Sequence, residues 1–244
     1  MRSINIAGIV KRLNVKPLES SQEFEAVFDE HISRIGGWLE KDEAVFLYKL
    51  AEEVESGLSI VEIGSYEGKS TISLALGAGI DVRVVAIDPH TGDITEALAG
   101  KEIDTYSRFT SNISNAGVSH KIKVMKMTSV EAAAEYSGGQ IGLLFIDGWH
   151  STKAVVEDID SWLPFLHPDG LVVFDDWNND QVKAGINSRL AVLPKPLGAV
   201  GKDLAFTNNK RIQDSAVGLH SRRMLKRLRL LIKLSSIKSR LIRT

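Results

Sequence analysis

This 244-residue sequence predicts an α/β fold: a doubly wound, mostly parallel sheet, with N-terminal helices and a basic C-terminal helix. Two observations carry that prediction. From residue 58 onward, short runs rich in β-branched residues alternate with helix-length stretches, and each run ends in a Gly, Asp or Ser cluster. The runs are also apolar throughout rather than alternating, which is what strands buried on both faces require. Five β/α repeats in succession imply parallel strands joined by right-handed crossovers.

Taken in order, residues 20–56 read as helical. Phe24, Val27, Phe28, Ile32 and Ile35 recur at helical spacing, as do Val45, Phe46, Tyr48, Leu50 and Ala51. Strands are expected at Leu58 to Ile63, Val82 to Ile87, Ile122 to Met125, Ile141 to Ile146 and Leu171 to Phe174, with a weaker one at Leu204 to Thr207. A crossover helix is expected from Lys153 to Leu166. There is no internal repeat and no low-complexity linker. The chain divides into a helical cap (1–56), an α/β domain (57–216) and a basic amphipathic tail (217–244).

Composition narrows the function classes. With 43% hydrophobic and 25% charged residues the chain is an average globular one, which excludes disordered and fibrous classes. The absence of cysteine removes disulfide scaffolds, thiolate zinc sites, thiol nucleophiles and Fe–S clusters together. The apolar stretch Ile4 to Val10 lacks the length and the cleavage site of a signal peptide. No window approaches the roughly 18 apolar residues of a spanning helix. A soluble, cytoplasmic protein is expected.

The segment Glu62-Ile63-Gly64-Ser65-Tyr66-Glu67-Gly68-Lys69-Ser70-Thr71 follows the first strand and opens a helix. Gly64 lets the chain turn sharply, and Gly68 lets a ligand approach free N–H groups at the helix start. The pattern is G-x-x-x-G, neither a dinucleotide fingerprint nor a P-loop. Glu62 would repel phosphate and attract a cation, so a ligand with an ammonium group and a ribose fits better than a phosphorylated one. A plain tight turn is the alternative. Asp88, at the end of the next strand, suits a ribose or the cap of a following helix.

Asp147 ends a fully apolar strand and His150 follows three residues later; the next strand ends in Asp175-Asp176-Trp177. Carboxylates converging on one sheet edge repel unless something positive sits among them. Hard oxygen ligands select Mg²⁺, Mn²⁺ or Ca²⁺ over zinc, with His150 beside the metal as a base. Alternatively, Asp147 or Asp175 caps a helix and Asp176 is a solvated loop acid. Trp149 and Trp177 flank the acids and suit either stacking on a substrate or packing at the sheet edge.

Val61 to Thr71, Ala86 to Pro89, Phe145 to His150 and Val173 to Asp176 resemble the successive motifs of class I S-adenosylmethionine-dependent methyltransferases, over roughly residues 40–210. Ile146-Asp147-Gly148-x-His150, followed by a strand ending in two acids, is similar to the metal-dependent sugar O-methyltransferases. The resemblance implies a Rossmann-like sheet and a methionine moiety held by the first loop: Glu62, Gly64, Ser65, Tyr66, Gly68 and Ser70. It further implies a ribose on Asp88 and an adenine near Ser129. Asp147, Asp175 and Asp176 would ligate Mg²⁺ or Mn²⁺, and His150 would take the proton from a sugar hydroxyl of a glycan, glycolipid or glycosylated metabolite. The catechol and caffeoyl-type enzymes are near relatives; they usually carry Lys where His150 stands and Asn where Asp176 stands. A nicotinamide-dependent oxidoreductase and a cofactor-binding module without activity are the competing classes.

The formal net charge of −1 is a cancellation. Ser221 to Thr244 holds nine Lys or Arg and no acid, leaving 21 bases against 31 acids over residues 1–220. Arg222, Lys226, Arg229, Lys233 and Arg240 follow one helical stripe. Such a tail suits an anionic membrane surface, here the inner face, or a partner subunit in a homo-oligomer, or the acidic body itself. Nucleic acid is not expected, because no aromatics interleave the charges.

Overall fold

The computed structural model describes residues 18–92 and 105–226. The stretch Ile4 to Val10 and the tail beyond Lys226, with Arg229, Lys233 and Arg240, fall outside the described residues.

Among the described residues, two helices precede the sheet. α1 (Gln22–Glu30) starts at Ser21, whose hydroxyl accepts the Phe24 N–H. α2 (Lys41–Glu52) starts with a reciprocal capping box between Glu40 and Glu43. The sequence predicted helix across 20–56, but Gly36-Gly37, with Gly37 at φ +113°, separates the two after a 3₁₀ turn at Ile32–Arg34.

The sheet elements then alternate: β1 (Ser59–Ile63), α3 (Lys69–Gly77), β2 (Arg83–Ile87), α4 (Thr105–Asn115), β3 (Ile122–Met125), α5 (Ser129–Glu135), β4 (Ile141–Ile146), α6 (Thr152–Trp162) and β5 (Leu166–Phe174). α7 (Asp180–Ser188), the hairpin β6 (Pro196–Val200) and β7 (Asp203–Thr207), α8 (Lys210–Asp214) and a helical stretch over 216–226 complete the described chain. Seven strands lie in the order β3-β2-β1-β4-β5-β7-β6. The first five are parallel; β7 runs antiparallel to β5 and β6.

Period-two alternation places successive residues of each strand in different cores. Ile60, Val84, Leu143, Phe145, Leu171 and Val173 face α1–α4, while Val61, Val85, Leu144, Ile146, Val172 and Phe174 face α5–α7. Both faces are covered, as the uniformly apolar strands required. α1 and α2 share a core with one face of the sheet.

Two boundaries and one missed strand depart from the sequence reading. The crossover helix α6 stops at Trp162, because Pro164 sits in the 3₁₀ turn Leu163–Phe165 that follows. β5 begins at Leu166, five residues early; His167-Pro168-Asp169-Gly170 is too polar to read as strand. β6 was not predicted, since its Pro196 and Gly198 argue against a strand, yet it is an edge strand, where proline is tolerated.

Gly198 has a second role. A side chain there would overlap the Ser221 backbone, so the 216–226 helix packs directly on β6. Ser221, Met224 and Leu225 are buried, while Arg223 and Lys226 are exposed. The first turns of the basic tail therefore rest on the protein's own body. No helix among the described residues is long and apolar enough to cross a membrane.

Candidate active site

The four loops singled out in the sequence start side by side because the sheet ladder runs one residue past each strand. Gly64 N–H donates to Ile87 (2.8 Å), Asp88 N–H to Met125 (3.2 Å), Asp147 N–H to Ile63 (2.9 Å) and Asp175 N–H to Ile146 (3.1 Å), in each case to the carbonyl oxygen. β4 and β5 are neighbours with Ile146 opposite Phe174, so Asp147 and Asp175 emerge together. The β1 and β4 loops are in contact. Gly64 sits at φ +89°, and a Cβ there would overlap the Asp147 carbonyl oxygen.

On the first side lie Glu62, Ser65, Tyr66 and Asp88. Glu62 is fully buried; it accepts from the Thr71 hydroxyl and interacts with Ser70. Burial pushes its carboxyl up to about 7, against the pull of the Ser70 and Thr71 hydroxyls and with a smaller push from Asp88. Among the described residues, Glu62 Oε1 and the buried Ser65 hydroxyl have no hydrogen-bond partner. Gly68, at φ +91°, caps α3, and its N–H donates to the Ser65 carbonyl (2.8 Å). Asp88 accepts from the backbone N–H of Tyr66 (2.7 Å) and of His90 (2.6 Å). No described helix is capped by Asp88; it ties the β2 loop to the β1 loop and fixes Tyr66, itself at φ +43°. Trp38, largely exposed, lies with its ring centroid 5.9 Å from that of Tyr66.

On the second side, Asp147, His150 and Asp175 each place a ligand atom within 4.8 Å of the others. His150 bridges two acids, with Nε2 3.4 Å from Asp147 Oδ1 and Nδ1 3.3 Å from Asp176 Oδ2. The helix-cap alternatives fall away, because α6 and α7 are capped by Ser151 and Asn179. Burial and the adjacent Asp175 push Asp147 well above the usual carboxylate range; its side chain keeps 28% exposure, so water screens part of that push.

Three residues of this cluster escaped the sequence reading: Lys202, Asp203 and Glu43. Lys202 lies in the β6–β7 turn and sets its ammonium 3.2 and 3.1 Å from the two oxygens of Asp175 and 3.3 Å from Asp176 Oδ1. Burial favours the neutral amine, but Asp175, Glu43, Asp176 and Asp147 outweigh it and hold the ammonium charged. Its backbone is held at both ends: Lys202 N–H donates to Glu43 Oε1 (2.7 Å), and its carbonyl accepts from Trp177 N–H (3.3 Å). Asp203 is fully buried, and neither of its oxygens has a hydrogen-bond partner among the described residues. Burial and the nearby Asp175 push its carboxyl well up. Glu43 is likewise raised by burial, against the pull of Lys202.

The remaining candidates separate. Ser129 opens α5, and its hydroxyl accepts from the Trp162 indole (2.9 Å), beside the buried Asp158 on α6. Trp177 packs on the core of the α5–α7 face, whereas Trp149 keeps 55% of its surface exposed next to the acids.

Comparison with known proteins agrees with this geometry. Residues 61–177 match the family model described as "Methyltransferase domain". The O-methyltransferase from Bacillus cereus, crystallised with SAH, superposes with a TM-score of 0.58 at 17% identity, covering 83% of this chain and 97% of that one. The O-methyltransferase TomG from Streptomyces achromogenes, involved in tomaymycin synthesis and crystallised with SAM, gives 0.54 at 19%, covering 82% and 96%. An uncharacterized protein of Sinorhizobium fredii, y4gI, is 30% identical over 120 residues, which are 48% of this chain and 13% of that protein. The chain thus spans well under two thirds of that relative's length. Residues 61–177 thus resemble a methyltransferase domain, and the seven-stranded sheet has the fold of these solved O-methyltransferases.

Proposed function

We propose that the protein is an S-adenosylmethionine-dependent O-methyltransferase acting on a sugar hydroxyl of a glycan, glycolipid or glycosylated metabolite, with His150 as general base and a divalent metal assisting. The observation that carries this reading is the contact of two half-sites on one sheet edge. Gly64 of the β1 loop lies against Asp147 of the acid–histidine cluster, so a methyl donor on the first faces an acceptor on the second.

The donor site fits S-adenosylmethionine by its unsatisfied atoms. Glu62 Oε1 and the Ser65 hydroxyl have no partner among the described residues, and a buried polar group is costly unless paired. Glu62, Gly64, Ser65, Tyr66, Gly68 and Ser70 would hold the methionine end and Asp88 the ribose, while Ser129 would stand near the adenine. The metal fits by charge. Glu43, Asp147, Asp175, Asp176 and Asp203 crowd around one ammonium and one imidazole, leaving excess acid for Mg²⁺ or Mn²⁺. Asp147, Asp175 and Asp176 would hold the ion, which when bound acidifies an oxygen brought to it.

His150 does the proton work. Asp176 at Nδ1 orients the imidazole, while the 3.4 Å approach of Nε2 to Asp147 is loose enough for that nitrogen to turn to a hydroxyl. The acceptor oxygen attacks the sulfonium methyl in line and its proton passes to His150. The carbon–sulfur bond breaks with its electron pair kept by sulfur, leaving S-adenosylhomocysteine. Most of the acceleration comes from holding oxygen and methyl together. The exposed Trp149 offers a flat surface for a sugar ring.

Two measurements test the proposal. Calorimetry with S-adenosylhomocysteine and with NAD should show binding of the first alone. Transfer of a labelled methyl group should then be screened over glycans, glycosylated metabolites and catechols. Transfer confined to catechols would reject the sugar reading, and NAD binding without S-adenosylhomocysteine binding would reject the whole assignment.

A further inference from the structure

We infer that Lys202 is the resident counter-ion of the acid cluster, an ammonium that a divalent cation must displace from Asp175 and Asp176 before it can bind. The inference takes from the proposed function only that these acids can hold such an ion.

The first ground is occupancy. Lys202 contacts both oxygens of Asp175 and one of Asp176, at 3.1–3.3 Å, while the remaining oxygen of Asp176 meets His150. Mg²⁺ and Mn²⁺ need carboxylate oxygens at about 2.1 Å in near-octahedral array, which would set the ion within a few ångströms of the ammonium that now neutralises the same oxygens, and the two like charges repel. The second ground is placement. Two long-range backbone contacts fix the turn that carries Lys202, one from Glu43 on α2 and one from Trp177 beyond β5. Glu43 is itself locked by accepting the Glu40 N–H (2.9 Å). A lysine held this way is aimed rather than merely solvated. The third ground is Asp203, the adjoining residue. Its fully buried carboxyl lies near Asp175 and receives no N–H or O–H among the described residues, so it offers oxygens to an incoming ion that Lys202 does not occupy. An ion that enters therefore finds acid to spare, but only after the ammonium has moved; the 25% exposure of the Lys202 side chain gives it solvent to move into.

Mn²⁺ binding to the full-length chain, followed by the electron paramagnetic resonance signal of the free ion, tests this without any turnover. Lys202→Met keeps the stem and removes the charge, and should tighten Mn²⁺ binding by about tenfold or more, while Lys202→Arg should leave it weak. Equal affinity in the wild type and Lys202→Met overturns the inference. Should Lys202→Met not fold, the wild type still decides. Reductive methylation read by peptide mass spectrometry should modify Lys202 slowly next to the 85%-exposed Lys153, and faster once Mn²⁺ saturates the site. Mn²⁺ saturation without a change at Lys202 also overturns it. S-adenosylhomocysteine titration of the wild type reports on the methyltransferase reading alone, so either idea can fail without the other.

Discussion

Replacing Glu62 by Gln should change how the stability of the protein depends on pH. Glu62 lies on the face of β1 that meets α3, fully buried, with hydroxyl donors on one side and an unpartnered Oε1 on the other. Its carboxyl sits at about 7 in the fold against an ordinary value of 4.5. The folded protein therefore binds the Glu62 proton more tightly than the unfolded chain does. Below pH 4.5 both states hold the proton and ionisation costs nothing. As pH rises towards 7 the unfolded chain releases it first, and stability falls. The full cost is about 3 kcal/mol, of which about 2.5 kcal/mol accumulates between pH 5 and pH 8. Asp158, raised by burial to about 6, titrates in the same window, so the wild-type slope alone is ambiguous. Urea unfolding of wild type and Glu62→Gln at both pH values isolates Glu62 by difference. The variant should lose about 2.5 kcal/mol less than wild type on going from pH 5 to pH 8. An unchanged pH slope would show that Glu62 is ionised in the fold already, paired with something other than Ser70 and Thr71, and the burial reasoning would be wrong.

Three further outcomes follow from the geometry. His150→Ala should bind S-adenosylhomocysteine as the wild type does yet lose turnover by about a hundredfold or more, as removal of a general base does; calorimetry and methyl transfer measure the two separately. Gly64→Ala should destabilise by about 3 kcal/mol and abolish cofactor binding, because the new methyl group overlaps the Asp147 carbonyl at a positive φ; thermal melts and titration show both. Trp162→Phe should cost about 1–3 kcal/mol in chemical denaturation, through the lost indole bond to Ser129 and the space left between α5 and α6.

Much of the fold was legible because the strands announce themselves. Ile141 to Ile146 is apolar at all six positions, and only burial on both faces makes such a run sensible in a globular chain. The edge was not legible for the opposite reason. β6 has a helix on it, at Gly198, and a partner on one side only, so Pro196 and Gly198 are tolerated there, and each reads locally as a turn. The helical stretch over 20–56 failed at Gly36-Gly37, a pair whose chain-breaking effect the surrounding periodicity of Phe24, Phe28, Val45 and Phe46 masked.

The acids at strand ends were legible for the same reason as the strands: a carboxylate straight after a buried run has no place to go but the sheet edge. What such a pattern cannot show is what neutralises them. Asp147, Asp175 and Asp176 need something positive among them, and apart from His150 their motifs hold no base, so the pattern reads as a metal site. The base that answers lies 27 residues beyond Asp175, in a turn without a motif, and it is held there by Glu43, 159 residues away. Glu43 reads in sequence as the third residue of a capping box, and it is one; its other oxygen meets the Lys202 N–H. A local signal was thus fully explained locally while half of its function was tertiary. Acids crowded on one sheet edge require positive charge, and a lysine delivered by an antiparallel hairpin meets part of that requirement as well as an ion does. Only the excess acid left over, Asp203 above all, keeps the case for a metal alive once Lys202 is counted.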